Sequence, residues 1–200
     1  MPTPDVLITS TGTEIHYGKN LTLDNSWRKH IDYRWEPGRI RKLMKTVKGV
    51  FEQEEKEQSP FKISYKVDFS VAPKLSSIRK FLRKKGIRAK VILSLNMFLD
   101  IIPVRAGSGI CIRHMAFKWD FPLENILIAG DSGNDKGMLT GNTLGVVVGN
   151  YSVELEKLRK YPRVYFAKAH HAAGIIEGIE YYDFLNTISI PNEKTVESDG

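Results

Sequence analysis

Two aspartates four residues apart, Asp131 and Asp135, enclose Ser132, Gly133 and Asn134 in the stretch ILIAGDSGNDKGML. Carboxylate and amide oxygens suit a hard cation such as Mg2+, which keeps several waters and takes one or two protein carboxylates together with phosphate oxygens. Ser132 and Gly133 are small enough for a sharp turn and a close backbone approach to a ligand. Asn134 and Asp135 can hold metal-bound water or brace the loop. The same residues also make a good helix N-cap, in which Asp131 or Ser132 accepts from free backbone amides. The loop alone supports both readings. As a metal site it is only half complete, so other elements have to supply the remaining donors and the reacting group.

Those elements change character along the chain. DVLITS and TEIHY read as two strands joined by a turn, and from Arg39 to Phe51 apolar residues recur at helical spacing behind Pro37 and Gly38. In FKISYKVD, residues Phe61, Ile63, Tyr65 and Val67 alternate as in a half-buried strand. A helix over 74–85 ends at Gly86, and the strands KVILSL and FLDIIPV join tightly through Asn96 and Met97. Residues 25–103 thus predict helices on one side of a small, largely antiparallel sheet. After residue 104 apolar strands (NILIAG, LGVVVG, VYFA) alternate with helices at 109–119, after the Asp loop, from Ser152 to Lys160 and at AAGIIEGIEYY. That order predicts a parallel sheet covered on both faces. Ligands of such sheets bind at the strands' carboxyl ends, where Asp131 falls. The end of the chain, 187–200, reads as a loose tail.

Composition narrows the function classes. The chain of 200 residues has one cysteine, Cys111, so an intramolecular disulfide or a cysteine metal cluster is excluded, and Cys111 is expected to be a small core residue. No apolar run is long enough to cross a bilayer and the first residues lack a secretory pattern, so a cytoplasmic location without membrane association is expected. The net charge of +7 favours anionic partners. The most basic stretch, IRKFLRKKGIRAK, carries Ile78, Phe81 and Leu82 at helical spacing, so its cations form the wet face of a helix and nucleic-acid binding is not expected. Trp27, Tyr33 and Trp35 read as packing aromatics, and His170 and His171 as exposed loop residues.

GDSGND after an apolar strand resembles the fourth motif of the haloacid dehalogenase (HAD) superfamily of Mg2+-dependent phosphatases. TGTEIHYG, SWRKHIDYRW, SPFKISYKVD, FLDIIPVRAG, ENILIAGDSGND, GNTLGVVVGN and AKAHHAAGIIEGIEYYDF resemble successive blocks of the sucrose-6-phosphate phosphatase family, including the phosphatase-like module at the carboxyl end of bacterial sucrose-phosphate synthases. The resemblance covers about residues 5–186. It implies an α/β fold, with a HAD-like Rossmannoid parallel-sheet core (1–24 and 104–186) and an inserted α+β cap (25–103). It also implies phosphomonoester hydrolysis through an aspartyl-phosphate, Mg2+ as cofactor and a sugar phosphate, sucrose-6-phosphate first, as substrate. By the same resemblance Asp131 and Asp135 serve the metal, Ser108 and Asn134 the phosphate, and Lys62, Tyr65, Ser94, Asn96 and Asp100 the sugar.

The chain departs from that pattern in two places. The family's nucleophile motif, Asp-x-Asp on the first core strand, occurs nowhere in the 200 residues, and the core sheet is expected to be incomplete and unstable without that strand. Ser108 stands where the family carries a lysine, in Arg105-Ala106-Gly107-Ser108-Gly109, which leaves Arg105 or Lys168 as candidate substitutes for the charge. The expected behaviour is a phosphatase-like module inactive by itself. The alternative is a non-catalytic sugar-phosphate-binding or regulatory module, partnered by a glycosyltransferase domain or by a missing N-terminal segment. Asn96-Met97 also differs from the family's usual pair, which bears on sugar specificity.

Overall fold

The computed structural model describes residues 4–187. Its strands form three sheets. Strands β1 (Val6–Thr9), β2 (Glu14–Tyr17) and β3 (Thr22–Leu23) make an antiparallel meander. Helices α1 (Asn25–Ile31) and α2 (Pro37–Met44) lead into a four-stranded antiparallel sheet of β4 (Val50–Glu52), β5 (Ile63–Val67), β6 (Ala89–Ser94) and β7 (Phe98–Pro103), ordered β4-β5-β7-β6, with α3 (Leu75–Lys84) inserted before β6. Helix α4 (Ser108–Lys118), β8 (Leu127–Gly130), α5 (Lys136–Leu139), β9 (Leu144–Val147), β10 (Val164–Phe166), α6 (His171–Tyr181) and α7 (Phe184–Thr187) complete the chain; the last three strands are parallel, ordered β10-β9-β8. Among the described residues β8 pairs only with β9, and β1 only with β2, so each sheet ends in an open edge. No described helix is long and apolar enough to cross a membrane.

The period-2 alternation of β5, β6 and β7 sorts their side chains onto two faces. The register Ser64–Asp100–Ile92 lies beside Tyr65–Leu99–Leu93. Odd positions Ile63, Tyr65, Val67, Leu99 and Ile101 pack on Ile40 and Met44 of α2 and Ile78 and Leu82 of α3. Even positions on these strands therefore face away from the helices. A second cluster joins Ile15, Trp27, Ile31, Phe61, Ile102, Ala106, Cys111 and Met115, tying the meander, α1, the four-stranded sheet and α4 together. Cys111 is buried there as expected; its thiol donates to Gly12 O at 3.0 Å, and burial pushes its pKa up to about 12.

Two elements differ from the sequence expectation. The helix starting near Arg39 stops at Met44, not Phe51. Gly49 adopts φ +70° against Ala72, where a Cβ would lie 2.7 Å from Ala72 N, and the chain then enters β4 with Phe51 63% exposed. The segment Val153–Lys160 is 3-10 helical, not α-helical, and the Ser152 side chain makes no capping bond.

Asp24 fixes the junction between the meander and α1. Its carboxylate accepts from Ser26 N (2.9 Å), Ser26 Oγ (2.5 Å), Trp27 N (2.9 Å), Tyr17 OH (2.5 Å) and Lys118 Nζ (3.0 Å). Burial raises its pKa, but the bonds from Ser26, Tyr17, the Trp27 amide and Lys118 outweigh that and hold it well below the usual carboxylate range. A depressed folded-state pKa gives stability that is fully present above the unfolded value near 3.8 and is lost as pH falls through the folded one. Asp24→Asn keeps a capping oxygen but loses the charge, and is expected to cost about 1–2 kcal/mol at pH 7. In urea melts the gap between variant and parent is expected to close as pH drops below about 4.

Candidate active site

Strand β8 ends at Gly130, and the loop Asp131–Asp135 runs from it to α5. The Asp135 Oδ2 atom accepts from the Asp131 amide (3.0 Å), the Ser132 amide (3.1 Å) and the Ser132 hydroxyl (3.1 Å), and that hydroxyl also donates to Asn134 Oδ1. Asp135 is therefore committed to bracing the loop. Gly130 permits this closure, since a Cβ there would lie 2.6 Å from Asp135 Cβ. Asp131 is exposed, and its carboxylate has no hydrogen-bond or ion-pair partner among the described residues. The described residues hold no group of three or more His, Cys, Asp or Glu at metal-binding geometry. The loop accordingly offers one free carboxylate with amide oxygens beside it, which fits a hard cation completed by water and ligand oxygens.

The even face of the four-stranded sheet carries a polar cluster. Lys62 Nζ donates to Ser64 Oγ (2.7 Å) and lies 4.0 Å from Asp100 Oδ1; Ser64 Oγ donates to Asp100 Oδ1 (2.7 Å), and Thr11 Oγ1 to Asp100 Oδ2 (3.2 Å). The Thr11–Asp100 bond links the turn after β1 to β7. Ser94 lies on the same face at the end of β6. Asn96, with φ +52°, sits in the exposed turn to β7. Tyr65 does not join this group. It is 2% exposed on the odd face, packed among the sheet's helices, and burial, followed by Glu52, raises its phenol pKa. The alternation that marks Tyr65 as half-buried in the sequence also turns it away from Lys62 and Asp100.

A cavity of about 540 Å3 separates the sheet from the loops. Its lining includes Thr11, Lys90 and Ile92 on one side and Ser108, Asn134 and Lys136 on the other; Asp131 is at its margin in sequence but not in the lining. Ser108 opens α4 behind Gly107, which has φ +121°. Close contact between α4 and α5 sets the spacing of Ser108 and Asn134: a Cβ on Gly109 would lie 1.9 Å from Gly137 O.

Neither sequence candidate for the missing charge reaches this cavity. The Arg105 guanidinium stacks on the Tyr33 ring at 3.9 Å, and Lys168 is absent from the lining. Of the cations that do line it, Lys90 is held beside the Gly107-Ser108 turn, its Nζ donating to Ala106 O at 2.6 Å. Burial, then the neighbouring Arg113, lowers its pKa. Sequence reasoning also missed Thr11 and Ser64. Ser64 was recoverable from the strand alternation, two residues from Lys62; Thr11 and Lys90 depend on contacts between elements that carry no local signal. His170 and His171 are exposed as expected, but His171 opens α6 instead of lying in a loop.

A family model described as "Sucrose-6F-phosphate phosphohydrolase" matches residues 1–183. The probable sucrose-phosphatase 2 of Arabidopsis thaliana is 34% identical over 192 residues, which cover 90% of this chain and 45% of that protein; the chain thus spans less than half of this relative. The sucrose-phosphatase of Synechocystis, solved in complex with sucrose and phosphate, superposes with a TM-score of 0.84 at 29% identity, over 92% of this chain and 77% of the other. A haloacid dehalogenase-like hydrolase from Bacillus subtilis shares the fold alone, with a TM-score of 0.59 at 20% identity over 91% and 70% of the two chains. The chain belongs to the sucrose-6F-phosphate phosphohydrolase family, within the haloacid dehalogenase fold.

Proposed function

We propose that this 200-residue chain is a sucrose-6-phosphate phosphatase-like module that holds a sugar phosphate between the even face of its cap sheet and the Asp131–Asp135 loop, and by itself does not hydrolyse it. The observation that supports this reading is the cavity, lined by Thr11 and Lys90 on the sheet side and by Ser108 and Asn134 on the loop side, with Lys62, Ser64 and Asp100 outside the lining and joined to it through the Thr11–Asp100 bond. Residues 25–103 act as the cap and the remainder as the core. Lys62, Ser94 and Asp100 offer the donors and acceptors that sugar hydroxyls need, Ser64 adds one, and Asn96 contributes from the turn. Tyr65 is left out of the site because its side chain packs on the other face.

Ser108 and Asn134 take phosphate oxygens. Lys90 supplies from the cap the positive charge that Ser108 lacks. Asp131 would hold Mg2+, and Asp135 would keep the loop in shape for it. Bound there, Mg2+ supplies positive charge against phosphoryl oxygens. The 200 residues contain no Asp-x-Asp carboxylate pair to attack phosphorus, so the chain binds and orients without turnover. Titrating the purified chain with sucrose-6-phosphate and Mg2+ in a calorimeter is expected to give saturable binding, weakened about 10- to 100-fold by Asp131→Ala. A titration with no heat and no protection of the chain against thermal unfolding contradicts the reading.

A further inference from the structure

The cavity has a charge balance that a sugar monophosphate does not match. Arg79 of α3, Lys90 of β6, Arg113 of α4, Lys136 of α5 and Lys157 of the 3-10 helix all line it. None of the five forms an ion pair with a carboxylate among the described residues, whereas Arg39, Arg41, Lys56, Lys62, Lys118 and Arg159 each do. Glu154 is the one acid in the lining, and its carboxylate packs against Gly133. Some of these cations are further held by backbone oxygens: Arg79 donates through Nη2 and Nε to Val91 O at 2.7 and 3.3 Å, and Lys90 to Ala106 O. Arg79 and Lys90 are therefore positioned rather than swinging free.

Like charges gathered in a partly closed space repel one another. Burial, then Lys157, Lys160 and Arg79, lower the pKa of Lys136, which records that repulsion. The protein keeps five unneutralised cations where one acid stands against them, and a bound polyanion removes the penalty. Ser108 and Gly109 at the α4 N-terminus also line the cavity, so the positive end of that helix adds to the same field, while the amides of Ile110 and Cys111 are taken by Gly107 O. A phosphomonoester carries about two negative charges near neutral pH, which leaves about half of the lining's net positive charge, five cations less Glu154, uncompensated. A ligand with two linked phosphates comes closer to balance, and the volume of about 540 Å3 falls within the usual range for small-molecule sites.

We propose that this cap–core cavity binds a diphosphate anion, inorganic or esterified, through Arg79, Lys90, Arg113, Lys136 and Lys157. The site shares Lys90, Ser108 and Asn134 with the sugar-phosphate reading but does not require it, because the five cations together do the binding and neither Mg2+ nor a sugar takes part. Occupancy by a diphosphate excludes a sugar phosphate from the same space, so such an anion acts as a competitive inhibitor of sugar-phosphate binding.

The test uses the full chain at fixed ionic strength without Mg2+. It is titrated separately with inorganic pyrophosphate, with ADP and with orthophosphate. Pyrophosphate or ADP is expected to bind at least about tenfold tighter than orthophosphate, and the affinity is expected to fall with added salt. The double variant Lys136→Gln/Lys157→Gln is expected to weaken the tighter probe by about tenfold or more, whereas Lys56→Gln, at an exposed pair with Glu54, leaves it unchanged. Removing two repelling charges should not lower the melting temperature, which separates lost binding from lost folding. The proposal is overturned if both diphosphates bind no tighter than orthophosphate, or if the double variant melts normally and binds them as well as the parent. A failure of sucrose-6-phosphate to bind overturns only the sugar-phosphate reading.

Discussion

Trp27→Ala is expected to lower the unfolding free energy by about 3–5 kcal/mol, the largest effect of any single truncation among the described residues. Trp27 is fully buried and sits at the meeting point of four elements. Its cluster takes Ile15 from β2, Ile31 from α1, Ile102 from β7 and Cys111 and Met115 from α4, so the cavity left by alanine opens where the meander, the four-stranded sheet and α4 are joined. The ring also packs against His114 at 4.9 Å and His30 at 5.5 Å. A domain's total stability is about 5–15 kcal/mol, so a loss of this size leaves little margin. Trp27→Phe is expected to cost less than half as much. The indole Nε1 has no acceptor among the described residues, so phenylalanine removes an unsatisfied donor while filling most of the space. Urea unfolding of the three proteins, compared through their midpoints at a common slope, checks both values.

Gly109→Ala is expected to cost about 3 kcal/mol, at the upper end of what overpacking costs. The added Cβ would meet Gly137 O at 1.9 Å and Gly137 C at 2.6 Å, both backbone atoms that no rotamer change can move. The helix α4 must therefore tilt or slide from α5. Because Ser108 precedes Gly109 and Asn134 precedes Gly137 by three residues, that shift also separates the two proposed phosphate contacts. The variant is therefore expected to lose affinity for phosphate-bearing ligands under conditions where it is still folded. At Gly38, where a Cβ would meet nothing within 4 Å, alanine is expected to be neutral or slightly stabilising. Thermal melts of the two variants side by side distinguish a specific clash from a general intolerance of substitution.

The parts of the fold that were legible in the sequence are those with a strong local period. Ile63, Tyr65 and Val67 alternate, and β5 forms there with those residues inside; Phe81 and Leu82 follow Ile78 by three and four positions, and α3 buries Ile78 and Leu82. Apolar strands alternating with helices after residue 104 correctly implied parallel pairing of β8, β9 and β10. The end of α2 was not legible, because the stop comes from Gly49 meeting Ala72, a contact between segments more than twenty residues apart. Helix α1 carried a local signal that was passed over: Asp24 accepts from the amides two and three residues ahead, as a capping residue does.

The candidate site divides in the same way. Asp131 and Asp135 were visible as a pair, but only the hydrogen bonds show that Asp135 is consumed by its own loop while Asp131 is free. Tyr65 was nominated as a sugar contact and as an inward residue of an alternating strand, and those two roles exclude each other for any partner on the Lys62 face. Lys90 was hidden in a basic stretch read as a solvated helix face. It lies beyond Gly86 in β6, where an even position points into the cavity.

The central claim is that this chain binds a sugar phosphate without turning it over, and phosphate release tests it most directly. The purified 200-residue protein is incubated with sucrose-6-phosphate and Mg2+ at concentrations that saturate binding, with the Asp131→Ala variant run in parallel. Orthophosphate is expected to accumulate no faster with the parent chain than with the variant. Mg2+-dependent release by the parent that disappears in Asp131→Ala would show that the chain supplies its own nucleophile, and the account would be wrong.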